Sequence, residues 1–169
     1  ALCLALSESD SVHEIHTAPG NAGTQNFGTN HDVAASDIDA LIELAIRLGV
    51  DYVVVGPEAP LCDGLADKLI GKGIPCFGPQ QVHAELEGSK LFAKKAMDAA
   101  GVPTAEYDVL DASADVHALL DARSHEPWVL KRDVLAGGKG VVVTSDREEA
   151  LAFIEESIQS DGHILLERF

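Results

Sequence analysis

The chain has 169 residues, 46% of them hydrophobic and 24% charged, which predicts a soluble globular protein with one large or two small cores and excludes a disordered one. Its 28 acidic against 12 basic side chains give a net charge of -16, which repels nucleic-acid phosphates and anionic lipid surfaces alike. Any anion this protein binds has to be met by a few placed cations, so clustered lysines are informative. Cys3, Cys62 and Cys76 form no CxxC pair, which predicts reduced core thiols in place of a disulfide framework or a zinc site. No apolar run approaches the roughly 20 residues of a membrane span, and no charged segment precedes a signal-like apolar one, so the cytoplasm is the expected location.

The opening "ALCLALSES" reads as the last turns of an apolar-faced helix with neither start methionine nor N-cap, which predicts a further piece upstream. "VHEIHTAPGN" follows as a short strand running into a Pro-Gly-Asn turn, and "AGTQNFGTNHD" as a polar loop. Ser36 is placed to cap a helix, with Asp39 in capping-box spacing. Ile38, Leu41, Ile42, Ala45 and Leu48 form its apolar stripe and Gly49 its stop.

The unbroken valines of "DYVVVG" predict a strand buried on both faces, as in a parallel sheet. A loop and helix over "PEAPLCDGLADKLIGKG" and a strand at "IPCFGP" complete a strand-helix-strand rhythm typical of a doubly wound α/β sheet. Such sheets bind ligands beyond the carboxyl ends of their strands, here "APGN", "GPEAP" and "FGP".

From Ser89 the texture changes. "SKLFAKKAMDAAG" predicts a helix with Leu91, Phe92, Ala96 and Ala99 among its apolar positions. Strands at "YDVL", "PWVLKRD", "VVVTS" and "HILLERF" alternate with helices at "ASADVHALLDAR" and "REEALAFIEESI", which predicts an antiparallel sheet with helices on one side.

Within this half, "VLKRDVLAGGKGVVV" surrounds a glycine-rich loop with lysines. It fails the Walker A pattern, because Lys139 is followed by Gly140 and Asp133 stands where the first glycine belongs. A strand, not a helix, follows, so no helix N-terminus is available for phosphate. What remains is a hairpin tip of Gly137, Gly138, Lys139 and Gly140 suited to close over a polyphosphate as a lid, at about 1–2 kcal/mol of ordering entropy per residue. Lys131, on the strand entering the tip, alternates with Leu130 and Arg132 and so faces away from Trp128 and Leu130. It is either a snorkelling edge residue or a phosphate ligand, and Lys139 in an acidic chain favours the second. The seven histidines are scattered, and His13-x-x-His16 does not read as a metal site.

"APGNAGT", "VVVGPEAPL", "FGP", "LEGSKLFAKKAM", "VPTAEY", "GGKGVVV" and "LLERF" occur in one order that resembles the glycinamide ribonucleotide synthetase family nearly from end to end. The resemblance implies a pre-ATP-grasp domain at 1–88, lacking its first strand and glycine-rich turn, then part of an ATP-grasp domain at 89–169, with a linker helix at 89–101 and a lid subdomain at 102–169. It implies ATP-dependent coupling of glycine to 5-phosphoribosylamine through a glycyl phosphate in purine biosynthesis. Mg²⁺ (or Mn²⁺) is implied as cofactor, on ligands outside this chain, and no metal ligand is assigned here. The implied partners are small molecules, with no nucleic acid, no membrane and a monomer favoured; the fragment alone is expected to be inactive.

By the same resemblance Lys90 and Lys131 touch the ATP phosphates, Lys131 and Lys139 act in catalysis, and Gly137, Gly138, Lys139 and Gly140 form the lid. Leu166, Glu167, Arg168 and Phe169 run against adenine, largely through backbone groups. Pro19, Gly20, Asn21, Gly56, Pro57 and Glu58 line the phosphoribosylamine side. The chain departs from the family pattern at Arg132, usually a small residue, at Val134, usually glycine, and at Arg168, usually a second Glu. A non-catalytic nucleotide-binding module and another ATP-grasp carboxylate-amine ligase stand as alternatives.

Overall fold

A computed structural model describes residues 1–135 and 139–169, which fall into two compact units, Ala1–Ala84 and Glu85–Phe169. The first is α/β. Its elements are α1 (Leu2–Ser7), β1 (His16–Thr17), a 3₁₀ turn (Thr24–Asn26), β2 (Thr29–Asn30), α2 (Ile38–Leu48), β3 (Val53–Val54), α3 (Ala59–Cys62), α4 (Leu65–Gly71) and β4 (Cys76–Phe77), with α5 (Gln81–Gly88) starting at its end. β1 pairs β2 and β3 pairs β4, both in parallel, so the expected parallel pairing with intervening helices is present. β2 lies inside the stretch expected as loop; a strand of two residues is too short to show alternation.

The residue that caps α2 is Asp37, whose side chain accepts the Ala40 N–H at 3.1 Å, and not Ser36. Counting three residues from Asp37 reaches Ala40, which has no side chain to answer back, so no capping box forms. Gly49 ends the helix in the left-handed conformation at φ 66°, as expected. Ile38, Ile42 and Ala45 pack on Leu65 and Leu69 of α4, with Val53, Val55 and Ile74 against them. The valines of β3 are half-buried, short of the burial on both faces expected of them, because β3 has one partner strand. The three thiols are likewise half-buried.

The second unit is α+β, with α6 (Lys90–Ala100), β5 (Tyr107–Asp111), α7 (Val116–Ala122), β6 (Trp128–Arg132), β7 (Val141–Thr144), α8 (Arg147–Asp161) and β8 (His163–Glu167). The sheet order is β5-β8-β6-β7 and every pair is antiparallel. One face is covered: Leu110, Trp128, Leu130, Ile164 and Leu166 pack with Leu120 of α7 and Ala150 and Ile154 of α8. The Trp128 indole N–H, which would be costly to bury unpaired, donates to the Leu120 carbonyl at 3.0 Å. Each fully buried leucine here contributes about 1.5–3 kcal/mol of transfer free energy. Among the described residues no helix is long and apolar enough to cross a membrane.

α6 departs from the expected pattern. Its buried residue is Lys94, while Phe92 is 38% exposed. An amphipathic reading cannot anticipate this, since lysines are almost never buried unless paired.

Candidate functional site

Alternation along the strands turns the second face of the sheet away from α7 and α8, and α6 meets it at β5 and β8, where Lys94 reaches Glu167 and the Tyr107 hydroxyl donates to Asp98 at 2.9 Å. Tyr107 and Val109 of β5, Leu165 and Glu167 of β8, Val129 and Lys131 of β6 and Val141 and Val143 of β7 stand on it in register. Val109, Val141 and Val143 are exposed while Leu165 and Glu167 are buried, so this largely apolar face is open along its β5 and β7 edges and closed over β8.

A charged cluster interrupts that surface. The Glu167 side chain is 5% exposed, and its Oε2 receives the Lys131 ammonium at 2.9 Å and the Lys94 ammonium at 3.1 Å. Lys94, 8% exposed, also donates to Thr104 Oγ1 at 2.8 Å and to the Ala105 carbonyl at 3.0 Å, and lies 5.4 Å from the centre of the Tyr107 ring. Lys131 keeps 29% of its side chain exposed. It faces away from Trp128 and Leu130, as the alternation predicts, and so do the lysine's carboxylate partner and the valines around it.

Lys90 occupies a different position. It opens α6, and its ammonium donates to the backbone carbonyls of Arg132 at 2.8 Å and Val134 at 3.1 Å. Between those carbonyls, Asp133 accepts the Ser89 hydroxyl at 2.9 Å and the Leu91 N–H at 3.1 Å, and its Oδ2 lies 2.9 Å from His163 Nε2. Ser89 in turn caps the helix by accepting the Phe92 N–H. The start of the loop is thereby stitched to the α6 N-terminus and to β8.

Burial opposes the charge on Asp133, but the Leu91, His163 and Ser89 hydrogen bonds outweigh it and hold the carboxyl below its ordinary value. A carboxyl so depressed adds stability that is complete above the unfolded value, near pH 4, and is lost as pH falls through the lower folded value. Asp133→Asn is therefore expected to flatten the acid limb of the unfolding curve below about pH 4, measured by circular dichroism; an unchanged limb contradicts the assignment.

The remaining expected site residues fall as follows. Lys139 is exposed, and the Gly140 carbonyl accepts the Arg132 N–H at 2.8 Å; Gly137 and Gly138 lie outside the described residues. Leu166 is fully buried on the helix-covered side, which limits it to backbone groups. Arg168 donates its N–H to the Glu106 carbonyl, and its guanidinium pairs with Glu126 at 3.6 Å and Glu106 at 3.8 Å, while Phe169 is 71% exposed. Arg132, the other charged departure, points to the helix side and grips Asp161 at 2.6 and 2.9 Å, away from Lys131.

In the first unit, Pro19, Gly20 and Asn21 follow the carboxyl end of β1, and Gly56, Pro57 and Glu58 that of β3. Gly20 has φ 77°, and a Cβ there would lie 2.4 Å from Asn30 Cγ, so the turn requires glycine. Asn21 Oδ1 accepts the Gly23 and Thr24 N–H groups at 2.8 and 3.1 Å, which shapes the turn from within. Glu58 begins α3, its carbonyl accepting the Leu61 and Cys62 N–H groups. His16 pairs with His31 at 3.0 Å, not with His13. An open groove lined by Asp39, Ile42, Glu43, Ile46, Lys68 and Lys72 has its Lys68 committed to Asp39 at 3.0 Å, so it offers no comparable excess of positive charge.

Sequence reasoning missed Lys94, the Glu167 carboxylate as the shared partner of two lysines, and Asp133 with His163. The available signals were the i,i+4 spacing of Lys90 and Lys94 and the shared strand parity of Lys131 and Glu167.

A family model described as phosphoribosylglycinamide synthetase, N domain, matches residues 1–87, and one described as phosphoribosylglycinamide synthetase, ATP-grasp (A) domain, matches residues 88–169. The phosphoribosylamine–glycine ligase of Mycobacterium tuberculosis is 44% identical over 173 residues, covering 100% of this chain and 41% of that protein. The Streptomyces coelicolor phosphoribosylamine–glycine ligase is 53% identical over 152 residues, covering 90% of this chain and 36% of that protein. Among solved structures, phosphoribosylamine–glycine ligase from Thermotoga maritima matches with a TM-score of 0.72 at 28% identity, over 99% of this chain and 40% of that one. The biotin carboxylase domain of Hydrogenobacter thermophilus 2-oxoglutarate carboxylase, in complex with magnesium ADP, ADP and bicarbonate, matches with a TM-score of 0.76 over 99% of this chain and 42% of that one. Its 19% identity shows the fold alone. The chain spans about two fifths of the length of these relatives.

Proposed function

Because the chain belongs to the phosphoribosylglycinamide synthetase family, we propose that it forms the nucleotide-gripping part of an ATP-dependent ligase that joins glycine to 5-phosphoribosylamine in purine biosynthesis. The observation that carries this reading is the pair of lysines on one glutamate oxygen beside the exposed valines of the sheet. The exposed valines suit an adenine base, and Lys131 suits the phosphate tail beside it.

Glycine's carboxylate is a poor electrophile. Phosphorylating it to a glycyl phosphate supplies a leaving group, and the amine of phosphoribosylamine then attacks the carbonyl and expels phosphate. The transferring phosphoryl group spreads negative charge over its oxygens, which placed cations stabilise. Lys131 is the first of these, held in position by Glu167 before any ligand arrives. Lys139 and Gly137, Gly138 and Gly140 are proposed as the lid that closes on the phosphates, and Lys90 as a phosphate contact that also anchors the lid's root. Glu167, Arg168 and Phe169, with the backbone of Leu166, are proposed beside the adenine. The turns at Pro19–Asn21 and Gly56–Glu58 are proposed for the phosphoribosylamine side, residues 1–88 serving that substrate and 89–169 the nucleotide. The reading places the protein in the cytoplasm.

A divalent ion, Mg²⁺ or Mn²⁺, would neutralise phosphate charge when bound. Among the described residues no group of three or more His, Cys, Asp or Glu side chains could hold one, so no step here passes through it.

Isothermal titration of ADP into this chain tests the reading. Saturable binding that ATP competes away is expected, and the absence of any binding contradicts it.

A further inference from the structure

The lysine cluster carries an imbalance that the nucleotide reading alone does not explain. Two ammonium groups meet one carboxylate oxygen, and among the described residues neither has a second carboxylate within 4.0 Å. Glu167 and Lys94 are both buried, while Lys131 reaches the open face. A carboxylate with Lys131 as its sole partner would cancel that lysine's charge and leave a neutral pair, a poor receptor for an anion.

Lys94 prevents this. It is fixed by Thr104 Oγ1, the Ala105 carbonyl and the Tyr107 ring, so it cannot turn to solvent, and its attraction draws on the same oxygen that Lys131 uses. Resting on the reading of this face as a nucleotide site, we propose that Lys94 is a positioning residue that claims the charge of Glu167, so that Lys131 presents one uncompensated positive charge to a polyphosphate anion. The geometry then does two things at once. Glu167 still orients the Lys131 ammonium by hydrogen bonding, and the excess charge remains available to phosphate oxygens in a chain whose overall charge of -16 repels them.

Lys94→Met keeps an unbranched side chain, one atom shorter and uncharged, and leaves Glu167 paired one to one with Lys131, a neutral site. Lys94→Met with Glu167→Gln removes one charge of each sign and restores the single excess on Lys131. The probes are inorganic tripolyphosphate and ATP, titrated into the chain and both variants, with thermal melts recorded in parallel.

Tripolyphosphate affinity is expected to fall about tenfold in Lys94→Met and to return to within about threefold of wild type in the double variant. A purely structural Lys94 predicts the opposite order, the double variant being no better than the single. A double variant that folds but binds tripolyphosphate tenfold more weakly than wild type overturns the inference even if Lys94→Met alone does not fold. So does a wild-type chain that binds no tripolyphosphate. ATP binding that is unaffected by Lys94→Met also overturns it, and leaves the nucleotide reading standing. The predicted tripolyphosphate order with no added affinity for ATP supports the charge mechanism and overturns the nucleotide reading.

Discussion

Replacing Lys131 by alanine is expected to weaken ATP binding about 100-fold while leaving the melting temperature within a few degrees of wild type. The two halves of that expectation come from the same cluster. Lys131 is the ammonium on the open face, and a charge-assisted contact to phosphate in a partly dry site is worth a few kcal/mol. Its loss does not orphan Glu167, which keeps the Lys94 partner at 3.1 Å, so the folded state retains a matched buried pair. Calorimetric titration and a thermal melt on one preparation check both halves. Unchanged affinity removes Lys131 from the site, and a collapse in stability makes it a structural lysine.

Glu167→Ala is expected to do the reverse and destabilise the second unit by about 3–5 kcal/mol, because it leaves Lys94 buried beside Lys131 with no counter-charge. In a chain of this size that corresponds to a fall of roughly 10 °C in the melting transition. Not every charged contact offers a comparable effect. The Arg168 pairs with Glu126 and Glu106 are long and exposed and contribute little. Differential scanning calorimetry separates the cases: a loss below about 1 kcal/mol for Glu167→Ala would show that Lys94 escapes to water when its partner is removed.

Much of this site was legible in strand parity. Trp128 and Leu130 point one way and Lys131 the other, and that alternation alone puts the lysine off the core. Gly49 as a helix stop and the switch from parallel to antiparallel texture near Ser89 were equally local signals. The parts that escaped depend on residues far apart in sequence. Asp133 meets Ser89 and Leu91 across more than forty positions, and Glu167 meets Lys94 across a helix, a strand and three further elements. Lys94 was hidden for a second reason: its buried position makes sense only once its counter-ion is known. The cap of α2 was misplaced by one residue because Ser36 and Asp37 are both good caps, and the choice between them is made by which side chain reaches the Ala40 N–H.

The claim on which the account depends is that a nucleotide lies on the face of the β5-β8-β6-β7 sheet turned away from α7 and α8. Titrating ATP into isotopically labelled chain and following backbone amide and side-chain resonances by NMR tests it directly. The account predicts saturable shifts at Val129, Lys131, Val143, Leu165 and Glu167, with Lys131→Ala abolishing them. Shifts confined to residues 38–72, around the groove between α2 and α4, would contradict it.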